Sequence, residues 1–349
     1  MSNTNISLIR SFNPALKPNE LLNYRSKYHY TSPNALLSIL TTGCLRFTDA
    51  RYMNDTSETL YFLKLLLEFI EKNKERYPLS LECINALLTK NSFEDIKSLK
   101  VSNINYDLTF MNKKDAPYIP KRVFVFCTSS DSDSLNMWNY YVHNGNYQGY
   151  NIGINMNKLL KTFHSIGLDK IGKIKISHGN VLYNLKEQNF EIELFLNSTE
   201  SALREHYNLF NNENDESQNQ IHNSFIAYGE MIIYQYIENS AAFFKHTKFS
   251  GENEFRIVVE IREDLIPYNK ETAKEFFGES YENMYLNFCV KNGLLVPYLQ
   301  VPLVKDAIQQ ITISPITEYE IAKSSIEEVL DINGYKNVNV KKSDIPIRF

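Results

Sequence analysis

The chain reads as an α+β protein with mixed, mostly antiparallel sheets, and three features of its sequence predict this class. An unbroken Val-Phe-Val-Phe-Cys run at 123–127 marks a strand buried on both faces. Residues 147–156 alternate, placing Tyr150, Ile152, Ile154 and Met156 on one side, the two-residue period of a strand. Strand and helix signals are interleaved, yet their lengths do not repeat as βαβ units would, and no internal repeat is visible.

Residues 1–26 read as a leader in which Pro14 and Pro18 discourage long structure. A single α+β domain is expected over 27–349, with helical insertions near 60–118 and 186–248. Residues 28–31 are rich in β-formers and predict a short strand. Ser32 then offers an N-cap with Pro33 at the first helical position. Leu36, Leu37, Ile39 and Leu40 form the apolar face of that helix, and Gly43 closes it. After a second strand at 45–48, Asp55 and Glu58 have the spacing of a capping box. Leu60, Phe62, Leu63, Leu66, Leu67 and Ile70 follow with helical periodicity.

Residues 72–120 are weakly patterned and predict an insertion or lid. Next come a strand at 122–128 and a short helix at 134–142 carrying Met137, Trp138 and Tyr141. The alternating strand and another near 173–183 follow. Residues 186–248 predict helices broken at 211–220 by a loop too hydrophilic to bury. A strand at 255–261 precedes a hairpin of 285–290 and 294–300 around Asn292-Gly293. A strand at 311–314 ends at Pro315. A helix at 317–332 keeps Glu320, Glu327 and Glu328 on its wet side, and a last strand is expected at 338–341.

Composition narrows the function. With 37 basic and 41 acidic residues the formal charge is -4, so the surface offers no general attraction to a phosphate backbone. The balance argues against a duplex-coating protein and leaves room for a local basic groove. The 23 Tyr and 21 Phe leave rings for stacking on a ligand. No basic-then-apolar signal and no apolar run of membrane-spanning length is present. Cys44, Cys83, Cys127 and Cys289 form no Cys-x-x-Cys pair, which fits a cytoplasmic chain with buried free thiols and no zinc site. Glycine-rich nucleotide loops, a His-Glu-x-x-His pair and a Gly-x-Ser-x-Gly elbow are all missing.

The chemistry-bearing residues fall into three groups. His29, at a strand end, can donate from one nitrogen and accept at the other, which suits a vicinal diol. Thr31 adds a hydroxyl on the same side of the strand. The alternative for His29 is a satisfied histidine in an aromatic core. Arg46 and Arg51 can pair with a pyrophosphate or be solvated. Asn54 can face a ligand, whereas Asp55 and Glu58 cap a helix. In the middle block, Ser129 ends a strand in hydroxyls, and Trp138 can either stack on a planar ring or fill the core.

Glu252 and Glu254 form the third group, two carboxylates expected on one side of a strand start. One can stabilise positive charge at an anomeric carbon while the other orients or deprotonates a nucleophile. Arg256 alternates onto the same side and can fix a carboxylate, and Lys245, His246 and Lys248 add cationic charge upstream. The alternative is an exposed strand start.

Several of these segments in combination resemble a widespread bacterial family known as a domain of unknown function. They are Tyr28-His29-Tyr30-Thr31, Gly43 with Leu45-Arg46, Asn54-Asp55-x-x-Glu58, and Phe126-Cys127-x-Ser129 with Met137-Trp138. The others are Glu252-x-Glu254-Phe255-Arg256, Leu295-Val296-Pro297-Tyr298, Ile313-Ser314-Pro315 and Lys342-Ser343-Asp344-Ile345-Pro346. The likeness runs from residue 25 to the end, and Ser314-Pro315 departs from a family Gly-Pro.

More distantly, His29-Tyr30-Thr31 with the following leucine-rich helix and Gly43 is similar to the opening of ADP-ribosyltransferases, including the DNA-modifying DarT toxins. That resemblance implies an ADP-ribosyltransferase-like core binding NAD as substrate in a cleft between two small sheets. It implies that His29, with Tyr30 and Thr31, holds a ribose, that an aromatic stacks on nicotinamide, and that Glu254 stabilises an oxocarbenium-like state. The acceptor would be a nucleic acid or a protein, in phage defence or as a toxin. Two other functions fit the same residues: a non-catalytic sensor or partner-binding module, and a glycohydrolase of NAD or a nucleotide.

Overall fold

The computed structural model describes residues 10–11, 26–53, 57–90, 121–142, 148–163, 174–210, 218–291 and 293–346. Its strands are β1 (Arg10–Ser11), β2 (Lys27–Thr31), β3 (Cys44–Asp49), β4 (Lys121–Ser129), β5 (Tyr150–Ile154), β6 (Ile174–Asn180), β7 (Glu254–Arg262), β8 (Leu286–Lys291), β9 (Leu294–Pro302), β10 (Ile308–Ile313) and β11 (Asn339–Lys342). The helices are α1 (Pro33–Thr42), α2 (Ser57–Lys72), α3 (Pro78–Lys90), α4 (Leu135–Tyr141), α5 (Met156–Thr162), α6 (Leu185–Phe210), α7 (Gln218–Ala241), α8 (Lys270–Phe277) and α9 (Tyr319–Ile332). The fold is α+β, with a mixed, mostly antiparallel open sheet.

Local chemistry explains the clearest boundaries. The Ser32 side chain accepts from the Ala35 amide and Pro33 opens α1. Gly43 ends α1 at φ 64, a left-handed conformation that a Cβ disfavours. At α8 the Asn269 side chain accepts from Thr272, which reciprocates in a capping box. That helix and α5 were not among the expected elements. Strand β1 lies within the stretch read as a leader. The segment read as a loop at 211–220 already contains the start of α7 at Gln218, and residues 211–217 lie outside the described residues. The expected Asp55–Glu58 capping box falls partly outside them too.

Two compact units emerge. The first combines Met1–Arg10, Met53–Lys121 and Val181–Lys248 and contains α2, α3, α6 and α7. Here the Glu200 carboxylate accepts from the Ser80 amide at 2.9 Å, satisfying the otherwise orphaned first turn of α3. Gln188 donates to the carbonyls of Leu182 and Lys245.

The second unit combines Ser11–Tyr52, Arg122–Asn180 and Phe249–Phe349 and carries the sheet. Its main path runs β1-β6-β7-β4-β2-β5-β10-β11, with β3 pairing β4 and β9, and β8 pairing β9. The ladder between β10 and β11 is parallel, whereas β2–β5, β5–β10, β3–β9, β8–β9 and β6–β7 are antiparallel.

Strand β4 is where the sheet forks. On one edge it meets β3 at Thr48↔Val125 and Asp49↔Phe124, then β2 at Tyr28↔Ser129. Its other edge follows β7, where the Ser130 amide donates to the Asn253 carbonyl. Beyond the fork, β2-β5-β10 and β3-β9-β8 diverge, and α1 is the connection between β2 and β3. One sheet face carries the main core, including Phe47, Phe126, Ile152, Phe255 and Ile257 with Leu36 and Leu40 of α1. The opposite face packs Tyr30 against Met137, Trp138 and Val142 around α4.

Candidate functional site

Alternation along β7 decides which side chains can form a site. Phe255, Ile257, Val259 and Ile261 enter the main core, so Glu254 and Arg256 point to the opposite face. Both are buried, at 2% and 1% exposure. The Arg256 Nε and Nη2 atoms lie 2.8 and 2.6 Å from Glu254 Oε2. The Tyr141 hydroxyl donates to Glu254 Oε1 at 3.1 Å.

Tyr141 ends α4, which is anchored by Trp138 packing edge-on against Tyr30 at 4.9 Å. Tyr141 as a whole keeps 39% exposure while its hydroxyl reaches the buried carboxylate. Burial, followed by the charges of Glu254 and Glu252, pushes the phenol pKa well up, so Tyr141 stays a donor through neutral pH. A carboxylate with one oxygen held by a guanidinium and the other by a hydroxyl is fixed in a single orientation.

Glu252 does not join Glu254 on the strand, which corrects the expected pairing. It ends a 3₁₀ turn at Thr247–Glu252, and Asn253, at φ 44, reverses the backbone before β7 begins. Glu252 is buried, its carbonyl accepts from Ser129 Oγ at 2.8 Å, and its charge reaches Tyr141. The Asn253 side chain donates to Asp131 at 3.1 Å, which helps hold the turn.

His29 also departs from expectation. It pairs across β2–β5 with core residue Ile152 and packs on Phe126 at 4.8 Å between ring centres. It therefore lies on the core face, opposite Glu254, and the two do not share one pocket. Its Nδ1 is 3.0 Å from the Cys127 carbonyl. A carbonyl only accepts, so Nδ1 carries the proton. Cys127 sits between the points where β3 and β2 join β4, so the imidazole bridges the fork. Burial lowers the His29 pKa, against the smaller upward pull of that hydrogen bond, which favours the neutral ring.

Other expected ligand residues make contacts within the fold. The Tyr30 hydroxyl donates to the Asp131 carbonyl and accepts from the Ser134 amide, both at 2.9 Å. Trp138 is fully buried and donates to Asp133 at 2.7 Å, so it fills the core and offers no stacking surface. Ser129 is equally buried and ties the Glu252 carbonyl to the Asp131 amide. Thr31 is buried on the His29 side of β2. Arg46 donates to Ser38 at 2.9 Å and lies 5.0 Å above the Tyr298 ring. Arg51 and Arg122 converge on the buried Asp49 carboxylate. Asn54 lies outside the described residues, and Lys245, His246 and Lys248 belong to the helical unit.

Residues missed in the sequence now stand out. Tyr28 pairs with Ser129 and so occupies the Glu254 face in place of His29. Cys127, next to core residue Phe126, shares that face, as does the expected Arg46, two residues before Thr48. Alternation counted from Phe126 and Phe255 is the signal that locates them. Lys27, on the other face, donates to Ser130 Oγ at 2.6 Å and lies 5.0 Å over the Phe255 ring. Burial lowers its pKa, opposed by the charge of Asp131.

Among the described residues, no group of three or more His, Cys, Asp or Glu is placed to hold a metal ion. No described helix is long and apolar enough to cross a membrane. No curated protein and no solved structure matches the chain. Residues 137–257, the span from the helix carrying Tyr141 to the strand carrying Glu254, match the family described as Protein of unknown function (DUF2971).

Proposed function

We propose that the chain is an NAD-dependent ADP-ribosyltransferase-like enzyme modifying a nucleic acid or protein, with Glu254 facing the anomeric carbon. The observation that carries this reading is the Glu254 carboxylate, held by Arg256 and Tyr141 where the sheet forks. In the reaction the glycosidic C–N bond breaks and its electron pair leaves with nicotinamide. The positive charge left on the ribosyl carbon is stabilised by the fixed carboxylate. An acceptor nucleophile then bonds to that carbon and its proton passes to solvent water. Tyr28, Arg46 and Tyr298 support the reading, because rings and a guanidinium on this face suit a dinucleotide with its pyrophosphate.

The test is nicotinamide release from NAD with candidate acceptors, comparing wild type and Glu254→Gln. The variant should lose about a hundredfold or more in rate. Equal release from both proteins, or none under any condition, overturns the proposal. Release without any acceptor would identify water as the nucleophile and make the chain a glycohydrolase.

A second reading, a non-catalytic binding module, is favoured by the near-complete burial of Glu254 with both oxygens engaged. A thermal shift with millimolar NAD but no nicotinamide release would support it.

A further inference from the structure

Tyr141 occupies the position at Glu254 that a substrate hydroxyl needs. Its O–H meets Oε1 at 3.1 Å, while Oε2 is gripped twice by buried Arg256. Tyr141 differs from Arg256 in reaching the surface, and it stands at the last position of a seven-residue helix. Of the two groups, the tyrosine is therefore the one a ligand can displace.

We propose that Tyr141 determines specificity, its phenol standing in for a ribosyl hydroxyl next to the anomeric carbon. This rests on the reading of Glu254 as the site carboxylate. Exchanging one O–H donor for another keeps the buried oxygen satisfied. A sugar lacking that hydroxyl does not replace the bond that Tyr141 gives up, and hydrogen bonds to charged groups are the costly ones to lose. A ribosyl dinucleotide that keeps this hydroxyl is therefore preferred over its 2′-deoxyribosyl counterpart.

The experiment measures kcat and KM for nicotinamide release from NAD in wild type, Tyr141→Phe and Glu254→Gln. It also measures kcat/KM for the counterpart deoxygenated at the 2′ position of the nicotinamide-side ribose. Tyr141→Phe keeps the ring but removes the competing hydroxyl, so KM for NAD should fall about tenfold or more with kcat changing less. Wild type should disfavour the deoxy substrate by about tenfold or more in kcat/KM. A tyrosine that only supports the fold would instead raise KM or lower kcat. Tyr141→Leu should repeat the fall in KM, and Trp138 fluorescence confirms that each variant is folded.

The two levels fail separately. Release unaffected by Glu254→Gln, or no release from any protein, sinks the site assignment and this inference with it. Release abolished by Glu254→Gln, with KM unchanged or raised in Tyr141→Phe, leaves the site standing and removes the role of Tyr141. Equal use of the deoxy substrate likewise refutes the hydroxyl exchange.

Discussion

Replacing Arg256 by Met probes the link between the ion pair and the fold. The guanidinium and the Glu254 carboxylate are both almost fully buried, with two contacts of 2.8 and 2.6 Å between them. Methionine retains much of the apolar stem, so packing loss is small and the main effect is a buried carboxylate deprived of this partner. Breaking a buried pair from one side costs about 3–5 kcal/mol. Glu254→Leu deprives the buried guanidinium of this partner and should cost a similar amount. The double variant removes both charges and should cost no more than the worse single change, giving a coupling of at least about 3 kcal/mol. Tyr141 loses its acceptor in the Glu254 variant and in the double variant alike, so that contribution cancels in the cycle. Urea unfolding followed by fluorescence reports this unit, because Trp138 is the sole tryptophan and lies in the same unit as the pair. Single-variant costs that add to within about 0.5 kcal/mol would refute the coupling.

Three other outcomes are expected. The His29 pKa is lowered from 6.5 in the folded chain, so below that value the unfolded chain takes up the proton first. Stability should then fall with falling pH, by at most about 1.4 kcal/mol per unit from this group, down to the folded pKa. His29→Asn, able to donate to the Cys127 carbonyl without titrating, should flatten that slope in melts between about pH 7.5 and 5, and an unchanged slope contradicts the assignment. Asp133→Ala deprives Trp138, Ser343 and the Asp344 amide of one shared acceptor. It should cost at least about 1.5–3 kcal/mol and make the segment at 343–346 more sensitive to limited proteolysis, whereas wild-type sensitivity would refute this anchoring. Gly149→Ala places a methyl against Val142 and 2.6 Å from the Thr31 carbonyl oxygen, which is backbone and yields little. A loss of about 1–3 kcal/mol in urea unfolding is expected, and a neutral substitution would show that β2 can shift.

Interactions between near neighbours were legible in the amino-acid order. The Ser32 cap, Pro33 and Gly43 of α1 involve groups a few residues apart, as does the contact between Glu254 and Arg256. The Val-Phe-Val-Phe run announced β4, which lies inside the sheet, because such apolar density is unstable anywhere else. The side of the sheet that His29 faces was not legible. A strand has two equivalent sides until its partners are known, and here β4 and β5 set the choice through Ser129 and Ile152. A single left-handed residue, Asn253, removed Glu252 from the strand, and no periodicity announces such a turn. Tyr141 meets Glu254 across 113 positions of chain. Contacts of that separation arise when sheet and helix pack, so the grip on the carboxylate belongs to the assembled fold and to no single stretch of it.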